Sequence, residues 1–150
     1  MTMDNAGHAL ASEATVVRRS VLVVGLMDED YQSLERLLRR WNCRVHRAHT
    51  CVNGVKVLDR SSVALVICDE ELPDGHWTMF LSGAVGQSDP PLLVVAARVA
   101  ESPILEHVRN AEGYDLLLKP FEPDEVHLVI TAGIRRWHER RSARGAAGAG

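Results

Sequence analysis

The sequence predicts an α/β fold, an open, doubly wound sheet of five parallel strands with helices on both faces. Short, unbroken apolar runs, typical of strands buried on both faces, alternate five times with segments of helical period. Strands that are joined through helices must pair in parallel, with the helices covering the sheet. The length of 150 residues, with 46% hydrophobic and 25% charged residues, indicates one globular domain with a sizeable core.

The first two strand–helix units occupy residues 20 to about 60. The run SVLVVG (Ser20 to Gly25) predicts the first strand. Apolar residues then recur at steps of three and four, which predicts a helix. These residues are Tyr31, Leu34, Leu37, Leu38 and Trp41. The segment CRVHRAH, residues 43–49, alternates and predicts a second strand. Val52, Val55 and Leu58 give a weaker pattern of helical spacing that predicts a second helix, with Thr50 as its N-cap.

The remaining three units follow the same alternation. The third strand is the run Val63 to Cys68, which ends at the three acids Asp69, Glu70 and Glu71. The third helix begins after Gly75 and has Trp77, Phe80, Leu81, Ala84 and Val85 at helical spacing. LLVVAA, residues 92–97, predicts the fourth strand, and Ser102-Pro103 starts a helix with Ile104, Leu105 and Val108 inward. YDLLL, residues 114–118, predicts the fifth strand, and a last long helix contains Val126, Val129, Ile130, Gly133, Ile134 and Trp137.

The ends of the chain differ from its centre in composition. We expect a disordered leader at 1–19, a folded domain at 20–138 and a basic, flexible tail at 139–150. The net charge is −3, but five arginines and one glutamate lie from Arg135 onward, so the rest of the chain is acidic. Because no basic stripe with interleaved aromatic residues is present, we expect no nucleic-acid binding by this domain.

The sequence also indicates the compartment in which the chain works. No apolar run approaches the roughly 20 residues that span a bilayer, and the N-terminus lacks the pattern of a secretion signal. We therefore expect a cytoplasmic protein without membrane contact. The three cysteines, Cys43, Cys51 and Cys68, are predicted to be small buried thiols, as is usual in a reducing compartment.

Candidate functional residues lie where the strands end, because ligands of doubly wound sheets bind beyond the carboxyl ends of the strands. These positions are Gly25, Leu26, Asp69, Ala96, Ala97, Lys119 and Pro120. The Asp69 carboxylate and the Lys119 ammonium could meet across this edge. On residue types alone, such a pair fits a structural salt bridge at the rim of the sheet as well as it fits a functional site.

The spacing of these residues resembles a known family. Asp69 has Pro73 four residues on and Gly75 two further, and Lys119-Pro120-Phe121 follows the last strand. In a chain with five β/α units, this combination resembles the receiver domain of two-component response regulators, from about Val21 to Trp137. The resemblance implies a (βα)5, flavodoxin-like fold and a signalling module, not an enzyme.

The resemblance also assigns roles to individual residues. It implies that Asp69 is the phosphoacceptor, which takes a phosphoryl group from a histidine kinase or phosphotransfer protein, and that Lys119 contacts that group. It implies a cis peptide bond before Pro120, and Mg²⁺ ligation by Asp69 and by the backbone carbonyl of Glu71. Receivers commonly associate through the fourth helix, fifth strand and last helix, so the resemblance also implies a homodimer or output contact through this face.

Three positions depart from the family pattern. Receivers usually end the first strand in two adjacent acids that hold Mg²⁺, but here these positions are Gly25 and Leu26. Ala96 stands where a Thr or Ser hydroxyl usually contacts the phosphoryl group, and Leu116 stands at the switch aromatic position. The acids at 28–30 resemble the negative first turn of a helix rather than metal ligands.

These departures predict weak or absent Mg²⁺ binding. Mg²⁺ usually takes one or two carboxylates, and losing a charged ligand costs roughly 1.5–3 kcal/mol, or tenfold to more than a hundredfold in affinity. The sequence thus favours an atypical receiver that is phosphorylated on Asp69. Two alternatives stay open: a pseudo-receiver that binds proteins independently of phosphorylation, and a small enzyme with Asp69 as nucleophile.

Overall fold

The computed structural model describes residues 19–87, 89–98 and 114–149. The strands are β1 (Ser20–Val24), β2 (Arg44–Ala48), β3 (Leu65–Asp69), β4 (Glu71–Leu72), β5 (Gly75–His76), β6 (Leu92–Ala97) and β7 (Tyr114–Leu118). The helices are α1 (Asp28–Arg40), α2 (Cys51–Arg60), α3 (Trp77–Val85) and α4 (Pro123–Ala149).

Five of these strands form one parallel sheet in the order β2-β1-β3-β6-β7. The predicted five-stranded, doubly wound sheet is therefore confirmed. The chain runs outward from β1 to β2 and returns across β1 to continue at β3. Strand order reverses at this point, so the carboxyl ends of β1 and β3 border the crevice in which such sheets bind ligands.

The two faces of the sheet are covered by different helices. On one face, α1 and α4 pack on side chains of β1, β3, β6 and β7 in a core that contains Leu34, Leu38, Ile130 and Trp137. On the other face, α2 and α3 contribute Leu58, Trp77 and Phe80 to a second core. All of β1 and β6 is buried, which explains why these strands are unbroken apolar runs instead of alternating sequences.

The helices begin where the sequence provides a cap or a charge. The Thr50 hydroxyl accepts a hydrogen bond from the Asn53 N–H at 3.1 Å, which confirms Thr50 as the N-cap of α2. The first turn of α1 holds Asp28, Glu29 and Asp30, and its last turn holds Arg39 and Arg40, so charges at both ends complement the helix dipole.

Two segments differ from the sequence-based expectation. Glu71–Leu72 and Gly75–His76, which lie between the third predicted strand and the third helix, form the antiparallel hairpin β4–β5. The tail expected to be flexible from 139 onward is instead part of α4, which extends to Ala149. The tail contains four alanines and three arginines, which are good helix formers, and Arg141 forms an ion pair with Asp89 at 3.6 Å.

The remaining expectations concern the leader, the fourth predicted helix, the cysteines and membrane contact. Arg19, assigned to the leader, donates two hydrogen bonds to the Trp41 carbonyl and so belongs to the fold. The predicted fourth helix, with Ile104, Leu105 and Val108, and leader residues 1–18 lie outside the described residues. All three cysteines are buried and free, as predicted. None of the described helices is long and apolar enough to cross a membrane.

Candidate functional site

Asp69 and Lys119 meet at the carboxyl edge of the sheet. The Lys119 Nζ lies 3.3 Å from both carboxylate oxygens of Asp69. The Lys119 side chain is 8% exposed, and the Asp69 side chain is 16% exposed. An ammonium centred on both oxygens of a partly buried carboxylate neutralises it without leaving a polar atom unpaired. The structure therefore brings together the two residues that the sequence singled out.

Neighbouring strands fix the position of both residues. Asp69 is the last residue of β3 and pairs in register with Ala96 of β6, whose carbonyl accepts a hydrogen bond from the Glu70 N–H at 3.1 Å. The Lys119 N–H donates to the Ala97 carbonyl at 2.8 Å, which continues the ladder past the end of β7. The Lys119–Pro120 peptide bond is cis.

Ala96 contributes no polar atom to the site. Its side chain is fully buried in the core under α1 and α4, beside Asp69 in the ladder. A methyl group at this position can neither donate nor accept a hydrogen bond. Any group bound to Asp69 must therefore find its partners elsewhere, at Lys119 and at backbone N–H groups.

The end of β1 is closed to a second carboxylate. Gly25 has a φ of +82°, and a Cβ built there would lie 2.2 Å from Leu72 Cδ2 and 3.5 Å from Asp69 Cβ. The space beside Asp69 is therefore occupied by the Leu72 side chain. Leu26 is 3% exposed and packs in the core with α1.

These contacts test the implied Mg²⁺ site. Mg²⁺ requires near-octahedral oxygen ligands, usually with one or two carboxylates. The Asp69 oxygens both face the Lys119 ammonium, and Gly25 and Leu26 offer no side-chain oxygen. The Glu71 carbonyl is the other oxygen that the family pattern supplies here. This donor set does not fit the metal site that the resemblance implies.

A second carboxylate reaches Lys119 from α1. Asp30 Oδ2 lies 3.9 Å from Lys119 Nζ and 3.9 Å from Arg98 NH2. The Asp30 side chain is 21% exposed, whereas that of Arg98 is 66% exposed. The sequence correctly placed Asp30 in the first turn of a helix but missed this contact. The sequence pattern could not indicate this contact, because three adjacent acids begin the helix and only the third, Asp30, points back toward Lys119.

Arg47 braces the loop between β1 and α1. Its guanidinium donates to the Leu26 carbonyl at 3.2 Å and to Asp28 Oδ1 at 2.8 Å, and it stacks 4.0 Å from the centre of the Tyr31 ring. Burial, followed by a hydrogen bond to Glu35, raises the pKa of Tyr31 to about 12. The hydroxyl therefore stays protonated and donates to Glu35, and Arg47 fastens the loop between β1 and α1 to β2.

The loop after Asp69 is fixed from a second side. The Asp74 carboxylate accepts hydrogen bonds from the backbone N–H groups of Cys51 at 2.8 Å and Val52 at 3.1 Å. These bonds hold the pKa of Asp74 below its usual range. Asp74 thus ties the β4–β5 hairpin to the first turn of α2, a contact between residues 23 apart in sequence.

The thiol next to Asp69 is not a nucleophile. Cys68 is fully buried, and its thiol donates to the Asp69 carbonyl at 3.3 Å. Burial, reinforced by the negative charge of Asp69, raises the pKa of Cys68. Since the thiolate is the reactive form, Cys68 fills space under the site and does no chemistry there.

Other groupings of polar side chains in the described chain do not include Asp69 or Lys119. Glu70, Glu71 and His76 have ligand atoms within 4.8 Å of one another, and Glu71 pairs with His76 at 3.6 Å. Glu71 is 74% exposed, so this contact is worth little. A cavity of about 140 Å³ lies near the amino ends of β3 and β6. It is lined by Leu58, Ser61, Ser62, Val63, Gln87, Asp89 and Pro91.

Comparison with known proteins finds sequence relatives among transcriptional regulators. No protein-family model matches the chain. The KDP operon transcriptional regulatory protein KdpE of Escherichia coli K12 is 31% identical over 115 residues, which are 74% of this chain and 51% of KdpE. The chain thus spans about half the length of this relative.

Solved structures of receiver domains share the fold. The signal receiver domain of an HD domain-containing protein from Pseudomonas fluorescens Pf-5 has a TM-score of 0.74 and 23% identity, over 83% of this chain and 93% of that domain. The receiver domain of a sensor histidine kinase from Pseudomonas aeruginosa PAO1, with magnesium in its active site cleft, has a TM-score of 0.68 and 20% identity, over 77% and 97%. The chain therefore has the fold of these receiver domains, and its sequence similarity to KdpE supports the resemblance to receiver domains of two-component systems.

Proposed function

We propose that this receiver domain accepts a phosphoryl group on Asp69 from a histidine kinase or phosphotransfer protein. The observation that supports the proposal is the contact of Lys119 Nζ with both Asp69 oxygens at 3.3 Å, in a pair whose Asp69 side chain is 16% exposed. A salt bridge with a purely structural role would have the same contact. The two roles are distinguished by reactivity, because a phosphoacceptor must react with a phosphodonor whereas a structural salt bridge does not.

The transfer would need few groups from the protein. An Asp69 oxygen attacks the phosphorus atom of the phosphohistidine, the O–P bond forms, and the P–N bond breaks with its electron pair left on the imidazole nitrogen. The product is an acyl phosphate. Such transfer is catalysed mainly by positioning and charge neutralisation, and Lys119 is the cation placed to supply the latter.

A direct experiment tests this assignment. The protein is incubated with phosphoramidate, a small phosphodonor, and its intact mass is measured. One phosphoryl adduct is expected on the native protein and none on Asp69→Asn, because the amide is not a nucleophile. Asp115→Asn, which changes an exposed residue of β7, serves as the control and should keep the adduct. An adduct that persists in Asp69→Asn would show that another residue is the acceptor.

A second candidate function has support from the same edge of the sheet. Gly25, Leu26 and Ala96 lack the side-chain oxygens that receivers use for metal and phosphoryl contact. These positions favour a pseudo-receiver, a protein-interaction module whose surface does not depend on phosphorylation. It predicts that partner binding is the same for the native protein and Asp69→Asn, and that phosphoramidate treatment gives no adduct. Both proposals describe a signalling module of the cytoplasm, not an enzyme.

A further inference from the structure

We propose that Asp30 and Arg98 complete a charge-balanced set with Asp69 and Lys119, which leaves no net negative charge for a divalent cation to neutralise. The set has two carboxylates and two cations, linked by contacts of 3.3 to 3.9 Å. Among the residues that the structure describes, Asp30, Asp69 and Lys119 form ion pairs only with one another and with Arg98.

The contrast with the family pattern explains why this balance matters. Two acids at the end of the first strand, together with the phosphoacceptor and the lysine, carry a net charge of −2, which one Mg²⁺ neutralises. Here Gly25 and Leu26 remove both of those charges. Asp30 restores one negative charge, but Arg98, at 3.9 Å, cancels it. The resting site is therefore neutral without metal.

Asp30 has a second effect, on the phosphorylated form. A carboxylate carries one negative charge, and an acyl phosphate at neutral pH carries close to two. Phosphorylation thus makes the four-residue set negative by about one charge, and Asp30 contributes to the repulsion. At 3.9 Å from both cations, Asp30 also competes with the phosphoryl group for Lys119 and Arg98. Asp30 is thus a positioning residue, and its negative charge determines the strength of the electrostatic repulsion that opposes phosphorylation.

The metal arm of the test does not depend on phosphorylation. Mg²⁺ is titrated into ¹⁵N-labelled protein, and the dissociation constant is taken from amide shifts of residues around Asp69. The native protein should bind only at millimolar levels or above. Arg98→Gln should bind Mg²⁺ about three- to tenfold more tightly, because it uncovers the charge of Asp30. Arg36→Gln, at an exposed position of α1, should match the native protein.

Two results of this titration would overturn the proposal. Native binding well below 1 mM, lost in Asp30→Asn, would make Asp30 a metal ligand instead of a counter-charge. Equal affinities in Arg98→Gln and Arg36→Gln would show that Arg98 does not balance Asp30. Far-ultraviolet circular dichroism of each variant establishes that the fold is kept.

The phosphorylation arm rests on the proposed acceptor role of Asp69. Intact mass is followed over time in phosphoramidate with EDTA present. The native protein should form the adduct without metal, and Asp30→Asn should form it about threefold faster or more, because one repelling charge is gone. Asp30→Glu should return to the native rate, and Glu29→Gln, exposed on the same turn, should leave it unchanged.

The two arms separate the two proposals. An adduct that requires Mg²⁺ would overturn the charge-balance inference while supporting Asp69 as acceptor. If no adduct forms under any condition, the acceptor role fails, and the Mg²⁺ titration alone decides whether the four charges are balanced. A slower reaction in Asp30→Asn would show that Asp30 assists transfer rather than opposing it.

Discussion

Gly25 and Leu72 together determine what the end of β1 can hold. A φ of +82° is a conformation that side-chain-bearing residues rarely adopt, and the Leu72 methyl group fills the place of a Cβ. The sequence showed that an acid is missing at this position, but it could not show that a leucine 47 residues later in the chain takes its space. The contact depends on the β4–β5 hairpin, whose two-residue strands are too short to produce a periodic pattern.

Leu26 is the better position at which to restore a carboxylate. Leu26→Asp should strengthen Mg²⁺ binding, because it would add an anionic oxygen at the end of β1. It should also destabilise the metal-free protein by about 2–5 kcal/mol, since Leu26 is 3% exposed and its packing would be lost. Millimolar Mg²⁺ should then raise the melting temperature of the variant clearly, and that of the native protein little.

The control for this prediction is Leu26→Asn, which has nearly the shape of aspartate but no charge. It should lose similar stability and gain nothing from Mg²⁺. If Mg²⁺ raised the melting temperature of the native protein as much as that of Leu26→Asp, Asp30 or its neighbours would already supply the metal ligands. The misfit between this site and Mg²⁺ would then be refuted.

At the scale of secondary structure, the apolar pattern was sufficient for the sheet. LLVVAA coincides with β6, because a strand buried on both faces leaves a continuous apolar signature. YDLLL coincides with β7, an edge strand in which Asp115 is exposed. The pattern did not contain the contacts that join one element to another. Asp74, which caps α2 from the hairpin, and Arg47, which braces α1 from β2, are polar residues whose partners lie about 20 residues away. Only the folded chain reveals them.

Asp74 links two elements in a manner that depends on pH. Its folded-state pKa is lowered by hydrogen bonds from Cys51 and Val52. The carboxylate therefore stabilises the fold above the unfolded-state pKa of about 3.9, and this stabilisation is lost as pH falls through the lower folded-state value. Asp74→Asn should lower the melting temperature, by a constant amount above about pH 5 and by less below about pH 4.

The experiment is a series of thermal melts of the native protein and the variant between pH 7 and pH 3. Asp124→Asn, exposed in the first turn of α4, is the matched control and should show a smaller difference at neutral pH. A difference for Asp74→Asn that stayed constant down to pH 3 would mean that the charge of Asp74 is irrelevant. The loop would then be held by packing alone.

At the scale of the whole molecule, charge is distributed unevenly between the body of the domain and its C-terminal end. The acidic body and the arginines of α4 give opposite charges that a second copy or a partner could pair. We propose association through the predicted fourth helix, β7 and α4, with Arg109 in the contact. Arg109→Glu should weaken association about tenfold in analytical ultracentrifugation, whereas Arg36→Glu on α1 should not. Unchanged association of Arg109→Glu with itself and with partners would argue against this face.

The C-terminal part of α4 is helical, although its composition is typical of a flexible tail. The composition of residues 139–150 predicted a flexible tail, yet the helix continues to Ala149. The reason lies in long-range contacts: Arg140 donates to the Pro90 carbonyl, and Arg141 pairs with Asp89 and lies 5.0 Å from the centre of the Trp137 ring. The loop before β6 is thereby fastened to the last helix.

Two truncations separate these contacts from the rest of the tail. A chain ending at Glu139 loses Arg140 and Arg141 and should be less stable to urea by about 1–3 kcal/mol, the worth of one charged hydrogen bond and one exposed ion pair. A chain ending at Arg144 keeps both arginines and should unfold at the urea concentration of the full chain. Hydrogen exchange should rise at the amides of Asp89 and Leu92, which flank the two prolines, in the shorter chain only, because the loop loses its partner. Equal stability of the two truncated chains would show that the arginines do not anchor α4, and the domain would then end near Trp137.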